Sequence, residues 1–224
     1  MKYPWIFFDA DETLFHFDSF KGLQLMFAGY GVVFTQDDYS KYQTINLPLW
    51  VQYQNGEIDS ETLKHARFEA WGHKLSVTTL ELNTKFLEAM VSVCTLLPGA
   101  ADLLKMLSGK SQLGIITNGF TDLQQSRLNI LGLEDTFSAL IISEEVGVAK
   151  PHIDIFNQAF KAVDHPPKDQ ILMVGDNLYS DIVGGINAGI HTCWLNRNQE
   201  TCPDQIQPHY QVNSLAELHA ILIA

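Results

Sequence analysis

The chain has 224 residues, 46% of them hydrophobic and 18% charged, and its 14 basic against 26 acidic side chains give a formal net charge of -12. That length holds one large domain or a core with a smaller insertion. The charge argues against a polyanion such as DNA, which needs clustered Lys and Arg to neutralise its phosphates, yet is compatible with one small anion held by a single Lys and a metal.

The first predicted element is a buried strand, Trp5 to Asp9, whose apolar run Trp5-Ile6-Phe7-Phe8 meets the acids of Asp9-Ala10-Asp11-Glu12-Thr13 where it leaves the core. Carboxylates withdrawn from water without a partner lose several kcal/mol, so this cluster implies a bound cation, shared protons or both. From about Asp18 to Leu96 no good strand run occurs, and the apolar residues fall at helical spacing: Leu23, Met26, Phe27 and Tyr30; Tyr39, Tyr42 and Ile45; Leu63, Phe68 and Trp71; Phe86, Met90 and Val93. The spacing predicts a four-helix insertion from near Ser19 to just before Pro98-Gly99, with Pro48 breaking or kinking its second helix.

Beyond residue 96, strand-length apolar runs alternate with helical patterns, the signature of a parallel α/β sheet. Strands are expected at Leu113 to Thr117, Ala139 to Ser143, Ile171 to Gly175, His191 to Leu195 and, more weakly, Tyr210 to Val212. Helices are expected near Ala100 to Leu107, Asp122 to Leu131, His152 to Val163, Ser180 to Ala188 and Leu215 to Ile223. The fold class is therefore α/β, a Rossmann-like doubly wound parallel sheet with an inserted all-helical domain. Residues 1–17 and 97–224 would form the core and 18–96 the insertion.

Cys94, Cys193 and Cys202 are not spaced as a redox or metal pair, so a reducing cytosol is expected and a disulfide framework is not. The apolar run near the start is too short for a secretory leader, and no stretch approaches the roughly 18 apolar residues of a membrane span. A soluble cytoplasmic protein follows as the expectation. The eight His residues show no pair at i, i+4, which argues against a helical His-based metal centre.

Three more polar signals stand at strand ends. They are Thr117-Asn118-Gly119, Lys150-Pro151 and Gly175-Asp176-Asn177, the last followed by Asp181. Alone, each fits a helix cap, a surface lysine or a solvated acid. Together they fall beyond the carboxyl ends of the strands, where open α/β sheets bind ligands, and so gather Asp9, Asp11, Thr117, Lys150, Asp176 and Asp181 into one crevice. Oxygen-only ligands suit a hard cation, Mg²⁺ above all where a phosphate completes the shell. A cation, a Lys, a hydroxyl and a carboxylate nucleophile are what phosphoryl transfer requires.

In these motifs, taken in order, the chain resembles the haloacid dehalogenase superfamily of phosphohydrolases, and the insertion sits where that family's first type of cap sits. The stretches Phe7 to Phe15, Pro48-Leu49-Trp50, Gln54-Asn55-Gly56, Ile116 to Phe120 and Cys193 to Asn196 are similar, more narrowly, to the bacterial pyrimidine 5'-nucleotidase branch. That branch dephosphorylates UMP, dUMP, dTMP and unusual pyrimidine nucleotides. The resemblance implies a small-molecule phosphomonoester as substrate and Mg²⁺, with Mn²⁺ as the other candidate ion. It implies Asp9 as nucleophile and Asp11 as general acid and base. Metal ligands would be the Asp9 side chain, the Asp11 backbone carbonyl and Asp176. Thr117, Asn118 (through its backbone N–H) and Lys150 would hold the phosphoryl oxygens, and Asp181 would steady Lys150 or a metal-bound water.

Glu12 stands where many relatives carry Gly, Asn or another residue, and no role follows for it. Dehalogenases of the superfamily lack the second aspartate, so Asp11 speaks for phosphoryl chemistry. Phosphatases of sugar phosphates or phosphoglycolate, a phosphomutase, a receiver-like signalling module and a degenerate binding protein are the competing readings. Phe15, His16, Asn46, Trp50 and Tyr53 are candidates for base contacts, none of them singled out over packing.

Overall fold

The computed structural model describes residues 2–223. They divide into two compact units: one runs up to His16, takes in Thr95–Gly119 and resumes at Gly132, and the other comprises Phe17–Cys94 with Phe120–Leu131.

The first unit is built on a six-stranded parallel sheet. Its strands are β1 (Trp5–Phe8), β4 (Gln112–Thr117), β5 (Ala139–Ile142), β6 (Ile171–Gly175), β7 (His191–Leu195) and β8 (Tyr210–Val212), in the order β5-β4-β1-β6-β7-β8. A short antiparallel pair, β2 (Phe15–His16) with β3 (Thr95–Leu96), stands apart from it, each strand at a chain crossing between the units. The central strands are unbroken apolar runs because both faces are covered. Ile6, Phe7 and Phe8 of β1 and Ile171 to Val174 of β6 are wholly buried. Phe7 packs so closely on β4 that a Cβ at Gly114 would lie 2.5 Å from its ring, which explains a glycine inside a central strand. Helices α6 (Ala100–Leu107), α8 (Ser143–Val146), α9 (Ile153–Ala162), α10 (Val183–Ala188) and α11 (Leu215–Ile223) complete the unit. Ile155, Phe156, Ala159 and Phe160 of α9 share a core cluster with Phe7, Ile116 and Met173 of the sheet.

Strand β1 pairs with β4 on one side and β6 on the other, so the winding direction reverses at β1. The register sets Phe8 opposite both Ile115 and Val174. The residues just past these strand ends are therefore neighbours at the switch point, where open α/β sheets leave a crevice.

The second unit is helical: α1 (Ser19–Ala28), α2 (Gln36–Gln54), α3 (Ser60–Ala66), α4 (Glu69–Leu75), α5 (Thr79–Val93) and α7 (Thr121–Ile130). Asp18, Thr35, Asp59 and Thr78 cap α1, α2, α3 and α5, each side chain accepting a backbone N–H of the first turn. Phe27, Phe34 and Trp71 stack into the core, with ring centroids 4.3 to 5.7 Å apart. Gly22 lets α1 approach α5, since a Cβ there would meet the Met90 sulfur at 2.3 Å.

Three expectations need revision. The third expected helix is two, α3 and α4, divided at Arg67–Phe68, where Phe68 leaves helical geometry at φ -115°, ψ 4°. The break turns Arg67 inward, 4% exposed, with its guanidinium about 5 Å from the ring centroids of Phe68, Phe86 and Phe120. Pro48 does not break α2, which continues through it as a 19-residue helix whose capping box holds its start. Finally, α7 groups with the helical unit rather than with the sheet.

Candidate active site

Asp9 follows β1 directly, its N–H still on the ladder through Val174 O at 2.8 Å. Thr117 ends β4, and Asp176 follows β6. Lys150 does not stand at a strand end as expected, because α8 intervenes after β5; it comes from the segment after α8 and is 1% exposed, so its charge is shielded from water. Three acceptors solvate it instead: Asp9 Oδ1 at 2.6 Å, Asp181 Oδ1 at 2.7 Å and the Ile116 carbonyl at 2.6 Å. An ammonium has three protons, and all three are engaged. Lys150 thus grips the carboxylate of Asp9, and contact with a phosphoryl oxygen requires it to share one of these protons.

Asn118 fixes the lysine's backbone. Its Nδ2 donates to the Lys150 carbonyl at 3.0 Å, and its Oδ1 accepts the Lys150 N–H at 2.7 Å. This side-chain clamp adds to the backbone role expected for Asn118. The Thr117 hydroxyl, 1% exposed, accepts the Gly119 N–H at 3.1 Å, which leaves its own proton able to donate.

Asp181 arrives on a single π-helical turn, Leu178–Ile182, which precedes α10. Such turns recur at functional sites. The turn starts at Asn177, whose side chain accepts the N–H groups of Tyr179 and Ser180 and whose own N–H donates to Asp181 Oδ2 at 3.0 Å. Gly175 is required here, because a Cβ would sit 2.2 Å from Asp181 Oδ2. Asp176 is held from two sides sequence reasoning did not foresee. Thr13 Oγ1 accepts its N–H at 3.0 Å, and Trp194 Nε1 donates to its carbonyl at 2.8 Å. The Thr of the first motif was the available signal for the former; Trp194, 18 residues away, stood in a stretch that carries the resemblance, but nothing there pointed to this contact.

Carboxylate oxygens of Asp9, Asp176 and Asp181 lie within 4.8 Å of one another. Burial, then the neighbouring Asp9 and Asp181, push Asp176 up to about 8. Burial raises Asp9 to about 7 against the pull of Lys150. One lysine therefore does not offset the negative charge gathered here. An oxygen-only donor set with surplus charge fits a hard divalent cation. Asp9 and Asp176 are the acids with capacity to hold it, because both Asp181 oxygens are already engaged by Lys150, Ser180 and Asn177. Asp11 lies one residue beyond Ala10 in the turn that ends at Phe15, to which it is bridged.

Of the candidates for base contacts, Phe15 is buried and His16 hydrogen-bonds Glu12. Asn46 is occupied inside the helical unit by Tyr42 and Gln43. Trp50 lies 5.8 Å from the ring of Tyr53 and 5.3 Å from that of Phe120.

The two raised acids give a pH-dependent expectation. Without a cation the folded chain keeps protons that the unfolded chain loses near pH 3.8, so their stabilisation is present below that pH and is lost as pH rises through about 7 and 8. A cation binds the deprotonated acids, so the rise in Tm on adding Mg²⁺ should be larger at about pH 8 than at about pH 5.5. Thermal unfolding with EDTA or Mg²⁺ measures it, and an equal or reversed rise would contradict this site.

The sheet, the switch-point crevice and the acid–lysine cluster define a hydrolase of the haloacid dehalogenase-like family, to which the chain belongs, with the match running over residues 3–189. Within it the chain is 54% identical over 222 residues to pyrimidine 5'-nucleotidase YjjG of Escherichia coli (strain K12), covering 99% of each protein. It is 32% identical over 225 residues to pyrimidine 5'-nucleotidase PynA of Streptococcus pneumoniae, covering 97% of this chain and 94% of that one. Among solved structures, the putative HAD-hydrolase YfnB of Bacillus subtilis bound to magnesium matches with a TM-score of 0.85 at 30% identity, over 100% of both chains.

Proposed function

We propose that this protein is a Mg²⁺-dependent 5'-nucleotidase that hydrolyses pyrimidine nucleoside monophosphates such as UMP, dUMP and dTMP to nucleoside and phosphate. The observation that carries the reading is Asp9 at a strand end, its carboxylate held at 2.6 Å by buried Lys150 and faced by Asp176 and Asp181. The 54% identity to a pyrimidine 5'-nucleotidase over nearly the whole chain supports the substrate class.

Lys150 favours the ionised form of Asp9 and fixes its direction, which readies one oxygen for in-line attack. Phosphorus binds Asp9 as its bond to the 5'-oxygen breaks, and that oxygen takes a proton from Asp11 and leaves as the nucleoside hydroxyl. Asp11, now ionised, accepts a proton from water whose oxygen attacks the aspartyl-phosphate, freeing Asp9 and inorganic phosphate. The Thr117 hydroxyl and the Asn118 N–H receive phosphoryl oxygens. A Mg²⁺ held by Asp9, Asp176 and the Asp11 carbonyl would neutralise charge on the acids and the phosphoryl group.

No helix among the described residues is long and apolar enough to cross a membrane. With its surplus of acidic side chains and no disulfide among the described residues, the protein fits a cytoplasmic enzyme acting on a small molecule rather than on a nucleic-acid polymer or a membrane. Phosphate release with Mg²⁺ from a panel of nucleoside monophosphates, sugar phosphates and phosphoglycolate tests the proposal. Pyrimidine monophosphates should be turned over fastest, and preference for a sugar phosphate would redirect it.

A further inference from the structure

Glu12 is the one acid of the first motif that this chemistry leaves unused. Its backbone is left-handed, φ 57°, a conformation that Gly adopts freely and that costs any other residue. The turn around it is tight. Leu14 N and Phe15 N both donate to the Ala10 carbonyl at 3.0 Å, and Glu12 N donates to Phe15 O at 2.7 Å. Thr13 is buried and holds Asp176, while Glu12 is one-third exposed.

The Glu12 carboxylate is shared. Oε2 takes the Arg197 guanidinium, and Oε1 meets His16 Nδ1 at 3.0 Å. Arg197 stands on a fixed platform, because the preceding Asn196 donates its N–H to Val212 O at 2.8 Å and ties Glu200 through both side-chain atoms. Asp11 therefore sits in a turn pinned on one side to the end of β6 through Thr13 and on the other to the β7–β8 connection through Glu12.

We infer that Glu12, braced by Arg197 and His16, is a positioning residue that aims Asp11 at the leaving oxygen. Glu12 and Arg197 are each one-third exposed, and ion pairs so open to water add little to stability. A glycine would also relieve the backbone. A glutamate here is therefore explained by placement of its neighbour rather than by folding energy, and general acids are sensitive to placement, small displacements costing large factors in rate.

The inference rests on the phosphomonoesterase reading, and leaving-group dependence isolates it. Departure of an alkoxide needs a proton from Asp11, whereas departure of p-nitrophenolate does not, and kcat/KM spans binding and this first phosphoryl transfer without the later hydrolysis of the aspartyl-phosphate. In Arg197→Ala, kcat/KM for the alkyl phosphate that the wild-type enzyme turns over fastest should fall about 10- to 100-fold. For p-nitrophenyl phosphate it should stay within about threefold of wild type, with Tm unchanged. Glu12→Gly, which relieves the backbone and so guards against a folding artefact, should show the same selective loss, and Arg197→Lys should restore part of it. Equal losses on both substrates, or none on either, would overturn the inference. Which alkyl phosphate the wild-type enzyme prefers bears on the nucleotide proposal separately.

Discussion

Asp9→Asn should fold, retain its phosphate ester and turn it over at least about 10⁴-fold more slowly than the wild-type enzyme, as loss of a covalent nucleophile does elsewhere. The amide keeps the shape of the carboxylate, and its oxygen can still accept from Lys150 Nζ, which lies 2.6 Å from Asp9 Oδ1, so the geometry around the lysine survives. What it lacks is an oxygen able to carry phosphorus. The substitution also removes one negative charge from a group of acids that burial and mutual repulsion already raise. In the absence of Mg²⁺ the variant should therefore be at least as heat-stable as wild type near neutral pH, whereas most buried substitutions destabilise. Phosphate release and thermal unfolding, measured side by side, check both halves. A variant that keeps more than about 1% of wild-type turnover would show that another group attacks phosphorus.

The sheet was legible in the sequence because its central strands are buried on both faces and so appear as unbroken apolar runs; β6 and β7 begin and end where those runs do. The site was legible for a related reason. Charged groups withdrawn from water are costly unless they serve each other, and Asp9 and Asp176 at strand ends do so with Lys150 and Asp181, which stand further along the chain. What stayed hidden depends on directions that periodicity does not carry. Leu63, Phe68 and Trp71 at helical spacing predict one helix, yet the chain breaks at Arg67 and buries it among aromatic rings. The helix after Thr117 follows a core strand in sequence yet packs in the helical unit. Asn118 was recognisable as a motif residue, but not that its side chain would close on the backbone of a lysine 32 positions away. The occupation of all three Lys150 protons is likewise a property of the assembled site.

That occupation makes Lys150→Met the most damaging substitution outside Asp9. Methionine fills the volume of the lysine stem but leaves Asp9, Asp181 and the Ile116 carbonyl without the cation that now joins them at 2.6 to 2.7 Å. Breaking a buried pair by removing one partner costs about 3–5 kcal/mol, because the surviving charge stays in the core. The sign of its pH dependence follows from Asp9. Burial raises its pKa above the ordinary value, and Lys150 is the main influence lowering it, so losing the lysine raises it further. A carboxylate raised in the folded state stabilises below its unfolded pKa, and that stabilisation is lost as pH rises through the folded pKa. Lys150 itself is held protonated: burial pulls its pKa down, but Asp181 and Asp9 outweigh burial and raise it, so in the wild-type enzyme the pair persists into alkaline solution. The Tm of Lys150→Met should thus fall furthest below wild type at about pH 8–9 and least at about pH 5, where the stranded acids take up protons. Mg²⁺ should narrow the gap by supplying positive charge to the same oxygens, without restoring turnover, since the direction of the Asp9 carboxylate is lost with the lysine. A gap that closes as pH rises would mean that Lys150 is not what holds these acids together.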